Sequence, residues 1–181
     1  MTGLRRALAA LALLVLGSPA AAQAPSYLML VDRLDRPEDG YCVDVLGAGR
    51  TFRTDLPLNV HNCKPGAAPD GLVTHRTDGT LYMAAFDLCL TAYGVNRVSL
   101  PGAPVLLRPC GANEGFFPTA ELQSWTFDDT GQVRLQNSAL CLRAGSAATR
   151  TFSPTHRWRT LTLDLCEDAP PALSRWTLVA R

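Results

Sequence analysis

The sequence lacks the features that usually announce a membrane protein, a nucleic-acid binder or an enzyme. Its longest apolar run, Ala7 to Leu16, is about ten residues, half of what a bilayer-crossing helix needs. Lysine is nearly absent, with Lys64 standing alone beside 16 arginines, and 17 basic residues against 16 acidic leave a formal charge of +1. That balance supplies no basic field for nucleic acid or for an anionic membrane surface. No Gly-x-Ser-x-Gly elbow, His-Glu-x-x-His helix or phosphate loop occurs. The three histidines, His61, His75 and His156, fall in different stretches, and no spacing brings one to a serine and a carboxylate. Helical periodicity is almost missing beyond the first residues.

What is present begins with a leader. Arg5 and Arg6 precede the apolar run, and Ala20-Ala21-Ala22 follows it, the pattern of a secretory signal peptide over 1–22 cut before Gln23. The cleavage point has no cysteine, the first being Cys42, which argues against a lipid anchor. Of 181 residues, 159 remain after the leader, with 15 basic and 16 acidic side chains. That is one domain's worth of chain over 23–181, large enough to bury a core without a metal. The expected location is secreted or periplasmic. Six cysteines in an oxidising compartment imply three disulfides, for which 15 pairings exist in principle. They lie too far apart to suggest zinc, and no cofactor is called for.

The cysteines mark a repeat of about fifty residues. Tyr41-Cys42-Val43, Leu88-Cys89-Leu90 and Leu140-Cys141-Leu142 agree. The second cysteine follows after 21 residues (Cys63), 21 (Cys110) and 25 (Cys166), each time after an apolar alternation. Val73 to Cys89 and Trp125 to Cys141 are both 16 residues, with Gly79-Thr80-Leu81 and Gly131-Gln132-Val133 at the same offset between them. The pairing that respects the repeat is Cys42 with Cys63, Cys89 with Cys110 and Cys141 with Cys166. Period-two patterning broken by Gly, Pro and Asp predicts an all-β chain.

These landmarks resemble the ricin B-type lectin family, in a divergent bacterial-type secreted form, over Tyr27 to Leu178. Cys42-Val43-Asp44-Val45 and Gln123-Ser124-Trp125 carry the likeness best, Ser174-Arg175-Trp176 keeps the tryptophan, and Gly71-Leu72-Val73 has lost the Gln-x-Trp element. The resemblance implies a β-trefoil of three four-stranded repeats, about 41–87, 88–139 and 140–181, with 26–34 supplying the strand that the third repeat lacks. It also implies a module that binds carbohydrate and is not an enzyme.

A sugar needs hydrogen-bonding side chains for its hydroxyls and a flat side chain for its apolar ring face. In the family these are an Asp two residues after the first cysteine, a polar residue four before the second, an aromatic two before it, and an Asn-Gln pair entering the Gln-x-Trp element. The first repeat has Asp44, Asn59, His61, and Asp70 with Gly71, a modified pocket. The second has Thr91, Leu106, Arg108, and Leu122 with Gln123. The third has Arg143, Thr162, Asp164, and Leu173 with Ser174. Neither of these keeps the Asp or the aromatic. The bland alternatives are that Asp44 caps a turn or pairs with Arg50 or Arg53, and that His61 faces solvent from a strand. Trp125 and Trp176 are expected in the core, with Gln123 as a buried prop.

Two long loops, Gly111 to Leu122 and Gly145 to Arg159, carry Phe116, Phe117, His156 and Trp158. Exposed aromatics beside arginine suit a protein interface, and the alternative is that Phe117 and Trp158 fold back on the barrel ends. The expected partner is therefore a glycan or, for a trefoil that lost sugar recognition in the manner of an inhibitor or toxin-delivery subunit, a protein.

Overall fold

The computed structural model describes residues 23–114 and 117–180, with the side chains of 113–118 left undescribed. The expected leader over 1–22 lies outside the described residues. Twelve strands carry the repeat: β1 Ser26–Leu30, β2 Tyr41–Asp44, β3 Asn59–Asn62, β4 Leu72–His75, β5 Leu81–Met83, β6 Leu88–Ala92, β7 Val105–Arg108, β8 Trp125–Phe127, β9 Val133–Leu135, β10 Leu140–Ala144, β11 Arg157–Leu165 and β12 Trp176–Ala180. All pair antiparallel, in the order β8-β9-β10-β11-β3-β2-β1-β4-β5-β6-β7, and β12 joins the sheet by pairing with β1. The fold is a β-trefoil.

Alternation decides which face of each strand enters the core. Val43 and Val60 are opposed across β2 and β3 and are fully buried, as are Leu90 with Leu107 and Leu142 with Leu163 in the corresponding hairpins. β1 is buried along its whole length because it has neighbours on several sides, β12, β2 and β4. Its pairing with β12 runs from Ser26 opposite Ala180 to Leu30 opposite Trp176, so the strand that precedes the first repeat completes the third.

The glycine that recurs at one offset in the first two repeats has a local cause. Asp78 and Asp128 each accept hydrogen bonds from a threonine two residues on, fixing turns in which Gly79 and Gly131 adopt φ of +85° and +87°. Those conformations favour glycine. Each glycine carbonyl then accepts the backbone N–H of the next repeat's tryptophan, Trp125 at 2.8 Å and Trp176 at 2.7 Å. Both indoles are buried and donate through Nε1 to the residue after a cysteine, Leu90 at 3.0 Å and Leu142 at 3.1 Å. They are core residues, as expected.

The disulfides join Cys42 to Cys63, Cys89 to Cys110 and Cys141 to Cys166, with Cα atoms 5.0, 5.1 and 5.0 Å apart. Each ties the first strand of a hairpin to the residues just after the second and should contribute about 3 kcal/mol through the unfolded chain. Helix among the described residues is confined to Pro171–Ser174 and the 3₁₀ turns Gly49–Thr51 and Ala120–Leu122. None is long and apolar enough to cross a membrane. The expected loop Gly145 to Arg159 is shorter than its spacing suggested. Arg157 onward belongs to β11, which is nine residues long and pairs first with β3 and Thr149–Arg150, then with β10.

Candidate functional site

The first-repeat residues come together on the outer face of β2 and β3. Asp44 lies opposite Asn59, and Cys42 opposite His61, so alternation sends Asp44, Asn59 and His61 to one side while Val43 and Val60 enter the core. Asp70 reaches the group from the loop before β4, whose backbone carbonyl accepts the Val45 N–H at 3.2 Å. Asp44, Asn59, His61 and Asp70 are only 6%, 8%, 9% and 5% exposed. His61 therefore does not face solvent, contrary to one sequence alternative. The ring of His156 covers it edge-on, with centroids 5.1 Å apart.

Asp44 does not pair with Arg50 or Arg53. Arg53 is bound to Asp55, and the cation at Asp44 is Lys64, with Nζ 2.9 Å from Oδ2 and 3.0 Å from Oδ1. The same ammonium donates to Asp70. Two buried carboxylates thus share one cation, leaving the cluster with one net negative charge when all three are ionised. Asp44 Oδ1 also accepts the Val45 N–H at 2.9 Å. Burial pushes the Asp44 carboxyl up to about 7, with the Asp70 carboxylate adding to the rise and Lys64 opposing it. Burial works against the Lys64 charge, but the two carboxylates outweigh it and hold the ammonium above its ordinary range.

His61 donates from Nδ1 to the Asn62 carbonyl at 2.8 Å, and burial lowers its pKa, so the ring is neutral around pH 7. Asn59 Oδ1 is buried without a hydrogen-bond partner among the described residues. An orphaned buried acceptor costs about 1–3 kcal/mol and marks a position where a ligand hydroxyl or a water is needed. Gly71, where the family has an amide side chain, cannot carry one. A Cβ there would stand 2.4 Å from Cε1 of Tyr27, whose hydroxyl accepts the Ala68 N–H at 2.8 Å.

The equivalent places in the other repeats are filled differently. In the second, Gln123 is buried and donates to Thr91 Oγ1 at 2.9 Å while accepting the Gly111 N–H at 2.7 Å. It is the expected prop. Thr91, Leu106, Arg108 and Leu122 line a recess of about 170 Å³ that contains no carboxylate. In the third, Arg143 and Asp164 occupy the places of the Asp and the aromatic and bind each other at 2.7 Å.

Of the loop residues, Phe116 lies outside the described residues, and Phe117 pairs with Glu114 in a short hairpin whose side chains are not described. Trp158 is 38% exposed and stands directly across from His61 on the neighbouring strand. Two groups of residues that looked separate in the sequence, the first-repeat pocket and the third-repeat loop, are therefore adjacent. Lys64, noted in the sequence only as the single lysine, belongs to the site as well. Its signal was there: a single lysine in an arginine-rich chain, next to the second cysteine of the one repeat that keeps the Asp. Among the described residues no group of three or more His, Cys, Asp or Glu is arranged to hold a metal.

Three disulfide-linked repeats closed by β1 and β12 define the β-trefoil class of protein. Residues 32–164 match the ricin-type β-trefoil lectin domain, and the chain belongs to that family. Among solved structures, an agglutinin from Abrus precatorius superposes with a TM-score of 0.59 at 22% identity, covering 90% of this chain and 51% of that one. This chain thus spans about half the length of the agglutinin chain. The mdaA-1 domain superposes with a TM-score of 0.56 at 14% identity, covering 89% of this chain and 93% of that domain. Identities this low speak to fold alone. No curated protein matches the chain in sequence.

Proposed function

We propose that the protein is an exported, non-catalytic carbohydrate-binding module, a single domain over 23–181 released from a leader over 1–22, with its sugar site in the first repeat. The observation that carries this reading is the cluster of Asp44, Asp70 and Lys64 beside the unpartnered Asn59 Oδ1. Two carboxylates accept from vicinal hydroxyls, and an ammonium donates to a ring or hydroxyl oxygen. Family membership supports the ligand class. Lys64, with 27% of its side chain exposed against 8% for Asp44, is the movable part, and a sugar entering the cluster takes over hydrogen bonds that the ammonium now makes.

Binding of the wild type and of Asp44→Asn to a glycan array is the direct test. The variant keeps shape and burial but loses the charge and one acceptor, and should lose at least about tenfold in affinity, the worth of a charged hydrogen bond. Equal binding by both would remove the first repeat as the site.

A second reading, a trefoil that binds a protein through its third-repeat loop, draws on Phe152, which is fully exposed in the same stretch as the part-exposed Trp158. A partner captured by the wild type and lost on Phe152→Ala, with glycan binding absent, would favour it.

A further inference from the structure

The first-repeat site has no large aromatic of its own, since His61 occupies that place and is buried under His156. The chain has three tryptophans, and Trp125 and Trp176 are enclosed in the core at 0% and 2% exposure. Trp158 is the one whose indole reaches solvent, and β11 sets it in line with the site. Two rows of facing residues cross the three strands, Cys42 to His61 to Trp158 and Asp44 to Asn59 to Thr160. Facing side chains on neighbouring strands lie about 5 Å apart at Cβ. From Asp44 to the Trp158 strand is two strand spacings, about 10 Å, which exceeds the reach of one pyranose ring.

Beyond Trp158 the face opens into a depression of about 410 Å³, lined by Ala147, Ala148, Thr149, Thr160 and Thr162. Small side chains make the room, and Gly145 is held so closely that an added Cβ would lie 2.4 Å from Thr160 Oγ1. Arg143 borders the same depression, with its Nη1 bound to Asp164. An indole wall and three threonine hydroxyls supply the apolar face and the hydrogen-bonding groups that receive a sugar ring.

We propose that Trp158, supplied by the third repeat, is the stacking platform of the first-repeat site, and that the depression beside it is a second sugar subsite. The ligand is then an oligosaccharide lying across β2, β3 and β11, with one residue at Asp44 and Asp70 and the next against the indole. This rests on the glycan-binding reading above.

The test uses the full mature chain, a panel of mono- to tetrasaccharides, and the variants Trp158→Thr, Trp158→Tyr and Asp44→Asn. Threonine suits a strand and removes the platform, whereas tyrosine restores one. Trp158→Thr should weaken the best oligosaccharide roughly tenfold, the loss of one aromatic stacking contact, and a monosaccharide less than about twofold. Trp158→Tyr should recover most of that loss. Oligosaccharide should shift tryptophan emission in the wild type and not in Trp158→Thr. If Asp44→Asn abolishes binding while Trp158→Thr binds every glycan as the wild type does, the second subsite is refuted and the first-repeat site stands. If Trp158→Thr abolishes binding and Asp44→Asn has no effect, the continuous groove is refuted. If the wild type binds no glycan, the glycan-binding reading fails and the subsite with it.

Discussion

Replacing Lys64 with methionine probes the charge cluster most directly. The alkyl stem keeps its packing, and the ammonium between Asp44 and Asp70 disappears. Both carboxylates are more than nine-tenths enclosed, with 8% and 7% of their side chains exposed, so neither can turn to water without local opening. Breaking a buried pair by removing one partner typically costs about 3–5 kcal/mol, and the partial exposure of Lys64 places this case near the lower figure. The loss should depend on pH. In the wild type the Asp44 pKa is raised, so the folded state holds that proton more tightly than the unfolded chain. The stability contributed by this group is complete below its ordinary value of 3.8 and is lost as pH rises through about 7. Without the ammonium the rise is no longer opposed, and ionisation of Asp44 beside Asp70 costs more. Urea unfolding with the disulfides intact, followed by the emission of Trp125 and Trp176, should show Lys64→Met about 3 kcal/mol less stable at pH 8. At pH 5, where a proton can stand in for the ammonium, the deficit should be less than half of that. Asp44→Asn in the Lys64→Met background should restore most of the loss at pH 8, because one like charge is gone. An equal deficit at both pH values would mean that the lysine acts through packing alone. A deficit under about 1 kcal/mol at pH 8 would mean that the cluster is solvated as exposed pairs are.

Other consequences are simpler to state. Gly71→Ala forces a Cβ against Tyr27, and the strain should cost about 1–3 kcal/mol in urea unfolding; Tyr27→Leu in the same chain should return part of it. Trp125→Ala empties a fully buried site and removes the Nε1 bond to the Leu90 carbonyl, so it should lower stability by about 3–5 kcal/mol by the same measurement, or leave the chain unfolded. Removing one bridge with Cys89→Ala and Cys110→Ala should cost about 3 kcal/mol, and calorimetry should place its Tm roughly 6–12 °C lower.

Much of this fold was legible because its information is periodic. The cysteine spacings recur three times and the turn glycines and core tryptophans twice, and these recurrences correspond to repeated contacts, such as the Gly79 carbonyl on Trp125 and the Gly131 carbonyl on Trp176. Repetition let the three disulfides and the closing strand be read together. What could not be read was whatever one repeat does to another. The facing of Trp158 and His61 spans 97 residues of chain and depends on β3 and β11 being neighbours across a repeat boundary. The place of Lys64 in the site escaped notice for a related reason: the lysine matters only because Asp70, six residues on, folds back to meet it, and no pattern in the sequence marks that return. The side chains that distinguish this chain from its own repeat are the ones that spacing could not interpret.

The pairing of β1 with β12 also constrains how the molecule is made. Ser26 faces Ala180, so one of the first segments of the domain to be synthesised finds its partner among the last. Contacts of such long sequence separation form slowly and leave edges open in the interval. During synthesis each hairpin can close and be bridged in turn, while β1 waits for β12. A truncation that removes only the last few residues should therefore stall folding at a stage with three native disulfides and an open seam, a form expected to aggregate although nearly all of the core is encoded.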